Sequence, residues 1–110
     1  MYVRVYWAHI VPGSLPDIEA KYRQLVADVP GRLLRWVTQD VNDPDSILTI
    51  TVWDSAEKVR AWESSEAYRK GVDAVRPYLV GAQTISLCEI KVDDAQGLDR
   101  LVQALRGRRP

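Results

Sequence analysis

Apolar and polar positions follow two different periods along the chain, which divide it into strands and helices. Residues 2–11 are rich in β-branched and aromatic types and predict a first strand. Residues 47–53 are apolar or β-branched throughout, which is typical of a strand covered on both faces. Residues 33–40 and 82–92 predict two more strands, and the mixed pattern of 33–40 favours the edge of a sheet.

Helical spacing appears after the first strand. The sequence Ser14-Leu15-Pro16-Asp17 predicts a capped helix start with proline in the first turn. Pro30-Gly31 predicts its end. The apolar positions between these signals are Ile18, Tyr22, Leu25, Val26 and Val29.

A second helical pattern follows the central strand. Asp54 and Glu57 resemble a capping box, and Ser64-Ser65 predicts a second N-cap, so we expect a two-part helix. This helix should end near Arg76-Pro77, after which Gly81 releases the chain into the last strand.

The C-terminal segment has a helical pattern of its own. We expect residues 93–110 to form an amphipathic helix with a basic tail, separate from a domain that spans residues 1–92. Its apolar and basic positions are Leu98, Leu101, Val102 and Leu105, followed by Arg106, Arg108 and Arg109.

The resulting order is β-α-β-β-α-β plus a C-terminal helix. It predicts an α+β, ferredoxin-like fold, with four antiparallel strands and two helices on one face of the sheet. Residues 42–45 join the second and third strands as a hairpin. The other sheet face would expose apolar residues, among them Ile47 and Trp53, with Tyr2 and Tyr6 if they share that side. Such a patch predicts a homodimer.

Composition narrows the partners. Fifteen basic residues balance fifteen acidic ones among 110, which argues against nucleic acid and a membrane surface as partners. The single cysteine excludes an intramolecular disulfide, and we expect Cys88 to be a buried, inert thiol. The first residues lack the pattern of a signal peptide, so we expect a cytoplasmic protein.

Several segments together resemble the antibiotic biosynthesis monooxygenase (ABM) family over residues 2–92. They are Val11-Pro12-Gly13, Pro30-Gly31, Asn42-Asp43-Pro44-Asp45, the run from Val52 to Glu57, Ala61-Trp62 and the run from Ser65 to Tyr68. The resemblance implies a dimeric α+β barrel. It also implies activities that include cofactor-independent oxidation of aromatic polyketides or quinols, and haem degradation.

The haem-degrading branch matches this chain at one of three positions. Trp62 corresponds to the tryptophan of those enzymes, Trp7 stands where they have asparagine, and residues 69–73 contain no histidine. In the polyketide-oxidising branch Trp53 matches, whereas Thr49 and Val59 replace an asparagine and a tyrosine. We therefore expect no haem, no other cofactor and no metal.

A ligand pocket is expected between the sheet and the helices. If the odd residues of the first strand face the helices, Trp7 and His9 point into it, opposite Trp62 and Tyr68. Histidine titrates near neutral pH, so His9 could accept the proton of a phenolic substrate. This predicts a cofactor-independent monooxygenase that acts on a quinol or an aromatic polyketide-like molecule.

Structural roles explain the same residues. His9 could be a hydrogen-bonded strand residue, and Trp62 could fill the core. Arg4 and Arg35 could anchor an anionic ligand or form ordinary ion pairs. Under these readings the protein is a non-catalytic dimeric barrel that binds a small apolar molecule or serves as an assembly module.

Overall fold

The computed structural model describes residues 1–25 and 28–106, without the side chains of residues 95, 105 and 106. The elements are β1 (Tyr2–Ile10), α1 (Leu15–Gln24), β2 (Arg32–Asp40), β3 (Asp43–Trp53), α2 (Ala56–Glu63), α3 (Glu66–Val75), β4 (Leu79–Glu89) and α4 (Gly97–Arg106), with short 3-10 turns at Arg76–Tyr78 and Asp94–Gln96. This order confirms the predicted α+β, ferredoxin-like arrangement with its additional C-terminal helix.

The four strands form one antiparallel sheet in the order β2-β3-β1-β4. The two strands with the most continuous apolar sequences, β1 and β3, therefore occupy its centre. β2 lies at an edge, as its mixed pattern predicted. It pairs with β3 as a hairpin that turns between Asp40 and Asp43.

The even residues of β1 face the helices. Their burial alternates with that of the odd residues, and Tyr6 pairs across the sheet with Thr49 of β3, which is also buried. The main core cluster joins this face to α1 and α3, and its members are Tyr6, Ala8, Ile10, Ile18, Ile47 and Val75. The prediction that the odd residues face the helices is wrong, because both sets are apolar or aromatic and the sequence gives no sign of which is covered.

The apolar patch predicted from Ile47, Trp53, Tyr2 and Tyr6 is also wrong. Tyr6 and Ile47 belong to the main core cluster. Trp53 is fully buried in a second cluster with Val29 and Val59, against which Tyr2 and Trp62 pack. The opposite sheet face carries different apolar residues, most of them only partly buried: Val3, Val5, Trp7, Leu34, Trp36, Leu48 and Ile50.

Serine hydroxyls define the start of α2 and α3. Ser55, and not Asp54, caps α2 by accepting a hydrogen bond from the Lys58 amide at 3.2 Å. Ser65 caps α3 through the Tyr68 amide at 3.1 Å, which confirms the two-part helix.

The cap predicted at Ser14 differs. Its hydroxyl donates to the carbonyl of Val11 at 2.6 Å and makes no bond to the helix amides. Helix α1 ends at Gln24, earlier than predicted, while Val29 packs in the second core cluster. Val26, part of the predicted helical pattern, lies outside the described residues.

The last strand begins three residues before the predicted start. Gly81 lies inside β4 with φ +70°, close to the place where the β1–β4 register shifts between Trp7 and His9. It therefore accommodates an irregularity in the strand, as glycine often does. Cys88 is exposed, which corrects the prediction of a buried thiol, because β4 is an edge strand.

Helix α4 confirms the predicted C-terminal helix. Val102 is buried, and Leu101 is partly exposed. The side chains of Leu105 and Arg106, and all of Arg108 and Arg109, lie outside the described residues. In the part of the chain that is described, no helix is long and apolar enough to span a membrane.

Candidate functional site

A cavity opens between the helix-covered sheet face and helices α1 to α3. Its volume is about 70 Å³, which is room for several water molecules, and it opens to solvent. The inward residues of β1 and β3 supply its floor, since alternate residues of a strand point to the same side. They are Arg4, Tyr6, Thr49 and Thr51.

Gly71 leaves space on the helical wall. It is buried in α3, and a Cβ added there would lie 3.4 Å from Cδ1 of Leu25. Both residues line the cavity. Any larger side chain at this position would project toward Leu25 and reduce the space between helix and sheet.

Arg4 is the most buried charge at the site, with 5% of its surface exposed. Its Nε atom lies 3.0 Å from Oε2 of Glu63, and its Nη2 atom donates to the Tyr68 hydroxyl at 2.8 Å. The guanidinium carbon is 5.3 Å from the centre of the Tyr68 ring. A buried cation needs such partners, because removal from water is costly for an unpaired charge.

Two further arginines lie over aromatic rings at the same cavity. The guanidinium carbon of Arg32 is 5.7 Å from the centre of the Trp62 ring. That of Arg35 is 5.3 Å from the centre of the Tyr22 ring, and its Nη2 atom donates to the Tyr22 carbonyl at 3.0 Å. Aromatic faces attract cations, so each contact favours a defined position for the guanidinium group.

Burial lowers the pKa of Arg32 to about 10, with a smaller contribution from the charge of Arg35. The carboxylate of Asp28 acts in the opposite direction. Both guanidinium groups line the cavity, and the positive charge of Arg35 disfavours the charged form of Arg32 there.

The tyrosines add hydroxyl groups to the aromatic wall. Burial, and then the neighbouring Tyr22 and Tyr68, raise the pKa of Tyr6 to about 12, against the opposing charges of Arg4 and Arg76. Tyr6 therefore stays neutral at pH 7 and can donate a hydrogen bond. Tyr22 and Thr49 share a hydrogen bond of 3.1 Å between their hydroxyl oxygens.

The structure places two of the four predicted pocket residues at this cavity. Trp62 and Tyr68 line it, with their rings edge to face at 5.6 Å between centroids. Trp7 and His9 lie on the opposite sheet face, and their placement in the pocket was wrong for the reason of strand parity given above.

Trp7 and His9 have partners on that opposite face. The indole nitrogen of Trp7 donates to the Ser46 hydroxyl at 2.9 Å. The Trp7 and His9 rings meet edge to face, with 4.5 Å between their centroids. His9 Nδ1 lies 3.8 Å from Oδ2 of Asp43. This geometry gives His9 no access to the cavity within one chain, and its proposed role as a base stays a prediction that the cavity does not support.

Tyr6, Tyr22 and Arg32 also line the cavity, although no sequence pattern predicted them there. Arg4 and Arg35 were considered for an anionic ligand and do line the cavity. Arg4 and Tyr6 could be predicted at the same site as Tyr68 only if it were known that the even residues of β1 face the helices. Among the described residues, no group of three His, Cys, Asp or Glu side chains could hold a metal ion.

Comparison with known proteins extends this picture. Residues 1–74 match the family model for antibiotic biosynthesis monooxygenase. No curated protein sequence matches the chain significantly.

Solved structures share the fold. A protein of Chloroflexus aurantiacus J-10-fl, provisionally described as an antibiotic biosynthesis monooxygenase, has a TM-score of 0.65 at 24% identity, covering 84% of this chain and 96% of its own. A protein of Caulobacter crescentus CB15 with the same provisional description has a TM-score of 0.74 at 16% identity, with coverage of 83% and 90%. A conserved protein from Methanosarcina mazei Go1 has a TM-score of 0.73 at 14% identity, covering 83% of this chain and 94% of its own. The family match spans more than half of the sequence, and the chain therefore belongs to the antibiotic biosynthesis monooxygenase family.

Proposed function

We propose that the protein is a cofactor-independent monooxygenase that oxidises a quinol-like or aromatic polyketide-like molecule, one ring of which enters the cavity between sheet and helices. The observation that carries this proposal is the cavity wall, in which Trp62 and Tyr68 offer aromatic surface beside arginines and a neutral Tyr6. Family membership supports oxygenation as the reaction type.

The proposed chemistry uses the substrate as its own reductant. An electron-rich phenol loses its proton, and the phenolate passes one electron to O₂. The resulting phenoxyl radical and superoxide combine at a ring carbon to a peroxide anion, which takes back a proton from water, and the hydroperoxide then loses water. Overall, a phenol with a free ring position and O₂ give a quinone and H₂O, so one oxygen atom enters the ring and the other leaves as water.

The residues have separate roles in this scheme. Positive guanidinium groups stabilise phenolate over phenol and also stabilise the negative charge that moves onto oxygen. Tyr6 is a neutral hydrogen-bond donor at pH 7, and its pKa of about 12 keeps it neutral into the alkaline range as well. The cavity opens to solvent, so water receives the phenol proton. Trp62 and Tyr68 hold the flat ring.

Oxygen uptake tests this function. Wild-type protein should consume O₂ with at least one member of a panel of hydroquinones and anthrones. Trp62→Leu should reduce the uptake at least tenfold, because the ring loses its aromatic wall. His9→Ala, on the opposite sheet face, is the matched control and should retain wild-type turnover. If the protein binds members of the panel but consumes no O₂ with any of them, it is the non-catalytic barrel instead.

We further propose that two copies associate through the opposite sheet face. That face carries partly exposed apolar residues from three strands, including Trp36, which is 44% exposed. A contiguous apolar face favours burial against a second copy, and a two-fold arrangement is the commonest solution. The family resemblance implies the same dimer.

Ile50→Glu tests this assembly. Ile50 lies at the centre of the face, paired with Val5 and Trp36 of the neighbouring strands. Wild-type protein should sediment as a dimer and the variant as a folded monomer. Lys70→Glu, on the exposed surface of α3, should remain dimeric. A wild-type monomer at micromolar concentration would refute the assembly.

A further inference from the structure

The cavity described above carries more positive charge than a neutral quinol needs. Three guanidinium groups reach it, and each lies over an aromatic ring: Arg4 over Tyr68, Arg32 over Trp62 and Arg35 over Tyr22. Among the described residues that line the cavity, every charged side chain is an arginine.

The neighbouring carboxylates neutralise this charge only in part. Glu63 pairs with Arg4 at 3.0 Å, so the most buried guanidinium group already has its counter-ion. The negative charge of Asp28 stabilises the charged form of Arg32. Arg35 has the Tyr22 carbonyl as its described hydrogen-bond acceptor, which carries no formal charge. Three guanidinium groups thus face two carboxylates, and an excess of positive charge remains in the cavity that Arg32 and Arg35 both line.

Position adds a second constraint. Arg35 and Tyr22 line the inner cavity and also an outer groove of about 450 Å³ between α1 and β2. A ligand bound at Arg35 can thus place one ring in the inner cavity, against Trp62 and Tyr68, and extend its remaining atoms into the groove. The inner space alone, about 70 Å³, limits the buried part to a small group.

We propose that this cavity selects a flat aromatic carboxylate, whose carboxylate is bound by Arg32 and Arg35 and whose ring lies against Trp62. The guanidinium fork matches a carboxylate in geometry and charge, and such charge-assisted hydrogen bonds are stronger than neutral ones. The aromatic rings that lie beside the guanidinium groups favour a planar aromatic ligand over a compact inorganic anion. The proposal rests on the proposed function for the location of the ligand, and it adds the substrate class.

Calorimetric titration of the full chain with naphthoate and with its neutral isostere naphthamide tests this selectivity. Wild-type protein should bind naphthoate about tenfold or more tightly than naphthamide, and the ratio should decrease with added salt. Arg35→Gln should lower the ratio at least threefold, because Arg32 alone remains to bind the carboxylate. Arg69→Gln, on the exposed surface of α3, is the matched control and should keep the wild-type ratio.

Equal affinities of the two ligands for wild-type protein would overturn the proposal, as would an unchanged ratio in folded Arg35→Gln. Competition by inorganic phosphate as effective as that by naphthoate would also overturn it, since it would show a site for any anion. Arg35→Lys keeps the charge without the fork and should give an intermediate ratio, which provides a second readout if the glutamine variant does not fold.

This experiment is independent of oxygen chemistry. A clear preference for naphthoate in a protein that consumes no O₂ would retain the carboxylate site and remove the oxygenase. Rapid O₂ uptake with neutral hydroquinones, combined with equal naphthoate and naphthamide binding, would retain the oxygenase and remove the carboxylate site.

Discussion

Gly71→Ala should stabilise the fold and weaken ligand binding at the same time. Gly71 lies within α3, where glycine lowers stability relative to alanine by about 1 kcal/mol. The added Cβ would lie 3.4 Å from Cδ1 and 3.5 Å from Cδ2 of Leu25, which is ordinary van der Waals contact with a flexible side chain. The helix gain should therefore exceed the steric cost.

The expected increase in the free energy of unfolding is about 1 kcal/mol, which corresponds to roughly 4 °C in Tm for a chain of this size. The same methyl group enters the cavity that Gly71 and Leu25 line. A methyl group placed where bound ligand would lie typically costs about 1 kcal/mol or more, so naphthoate affinity should fall by roughly fivefold.

Urea unfolding and calorimetric titration measure the two effects on the same preparation. Arg69→Ala, on the exposed side of α3, should change neither quantity by more than about 0.5 kcal/mol. A loss of stability in Gly71→Ala would show that Leu25 cannot give way. A gain in stability with unchanged affinity would show that the ligand binds elsewhere, and would refute the assignment of the site.

Three other changes test the surroundings of the cavity. Gly31→Ala should lower the free energy of unfolding by about 2 kcal/mol, because φ is +83° and the new Cβ would lie 2.8 Å from Cβ of Lys58. Arg4→Met should cost about 1 kcal/mol, because the Glu63 side chain left behind is 35% exposed and can be hydrated, whereas Arg4→Ala also leaves a void and should cost about 3 kcal/mol. Between pH 9 and pH 11 the free energy of unfolding should fall by about 1 kcal/mol through Tyr6 alone, because its folded pKa of about 12 lies above the unfolded value of 10.0, so the unfolded state loses its proton first.

Each of these expectations has a decisive measurement. Urea midpoints decide the first, and wild-type stability in Gly31→Ala would contradict the positive-φ argument. Equal costs for the two Arg4 variants would show that charge, and not packing, dominates at that position. For the third, Tyr6→Phe should abolish about 1 kcal/mol of the alkaline decrease, and an ultraviolet titration should lose a component near pH 12. An unchanged pH dependence in that variant would contradict the raised pKa.

Local sequence signals were sufficient for the order of elements. Alternation, β-branched runs and paired prolines and glycines depend on nearest neighbours, so they predicted four strands, the two-part helix and α4. The edge position of β2 also followed from its mixed pattern. The predicted end of α1 and start of β4 were wrong. The start of β4 depends on the pairing of Leu79 with Ile10 of β1, a contact that no local pattern carries.

The site depended on a property that no local pattern carries. In β1 the odd residues and the even residues are apolar or aromatic in nearly equal measure. The local sequence therefore does not determine which face of the strand the helices cover. A shift of one residue exchanges Trp7 and His9 for Arg4 and Tyr6 as the cavity floor. The helices that cover the sheet make this choice, since they bury Tyr6 and pair Arg4 with Glu63.

The amino-acid sequence by itself thus determined the family, the strand and helix order and two of the four predicted pocket residues, Trp62 and Tyr68, because those features are encoded over short stretches. Tertiary structure alone decided that arginines and tyrosines complete the cavity. Those side chains come from β1, β2 and two helices, and only the packing of helix against sheet brings them to one cavity.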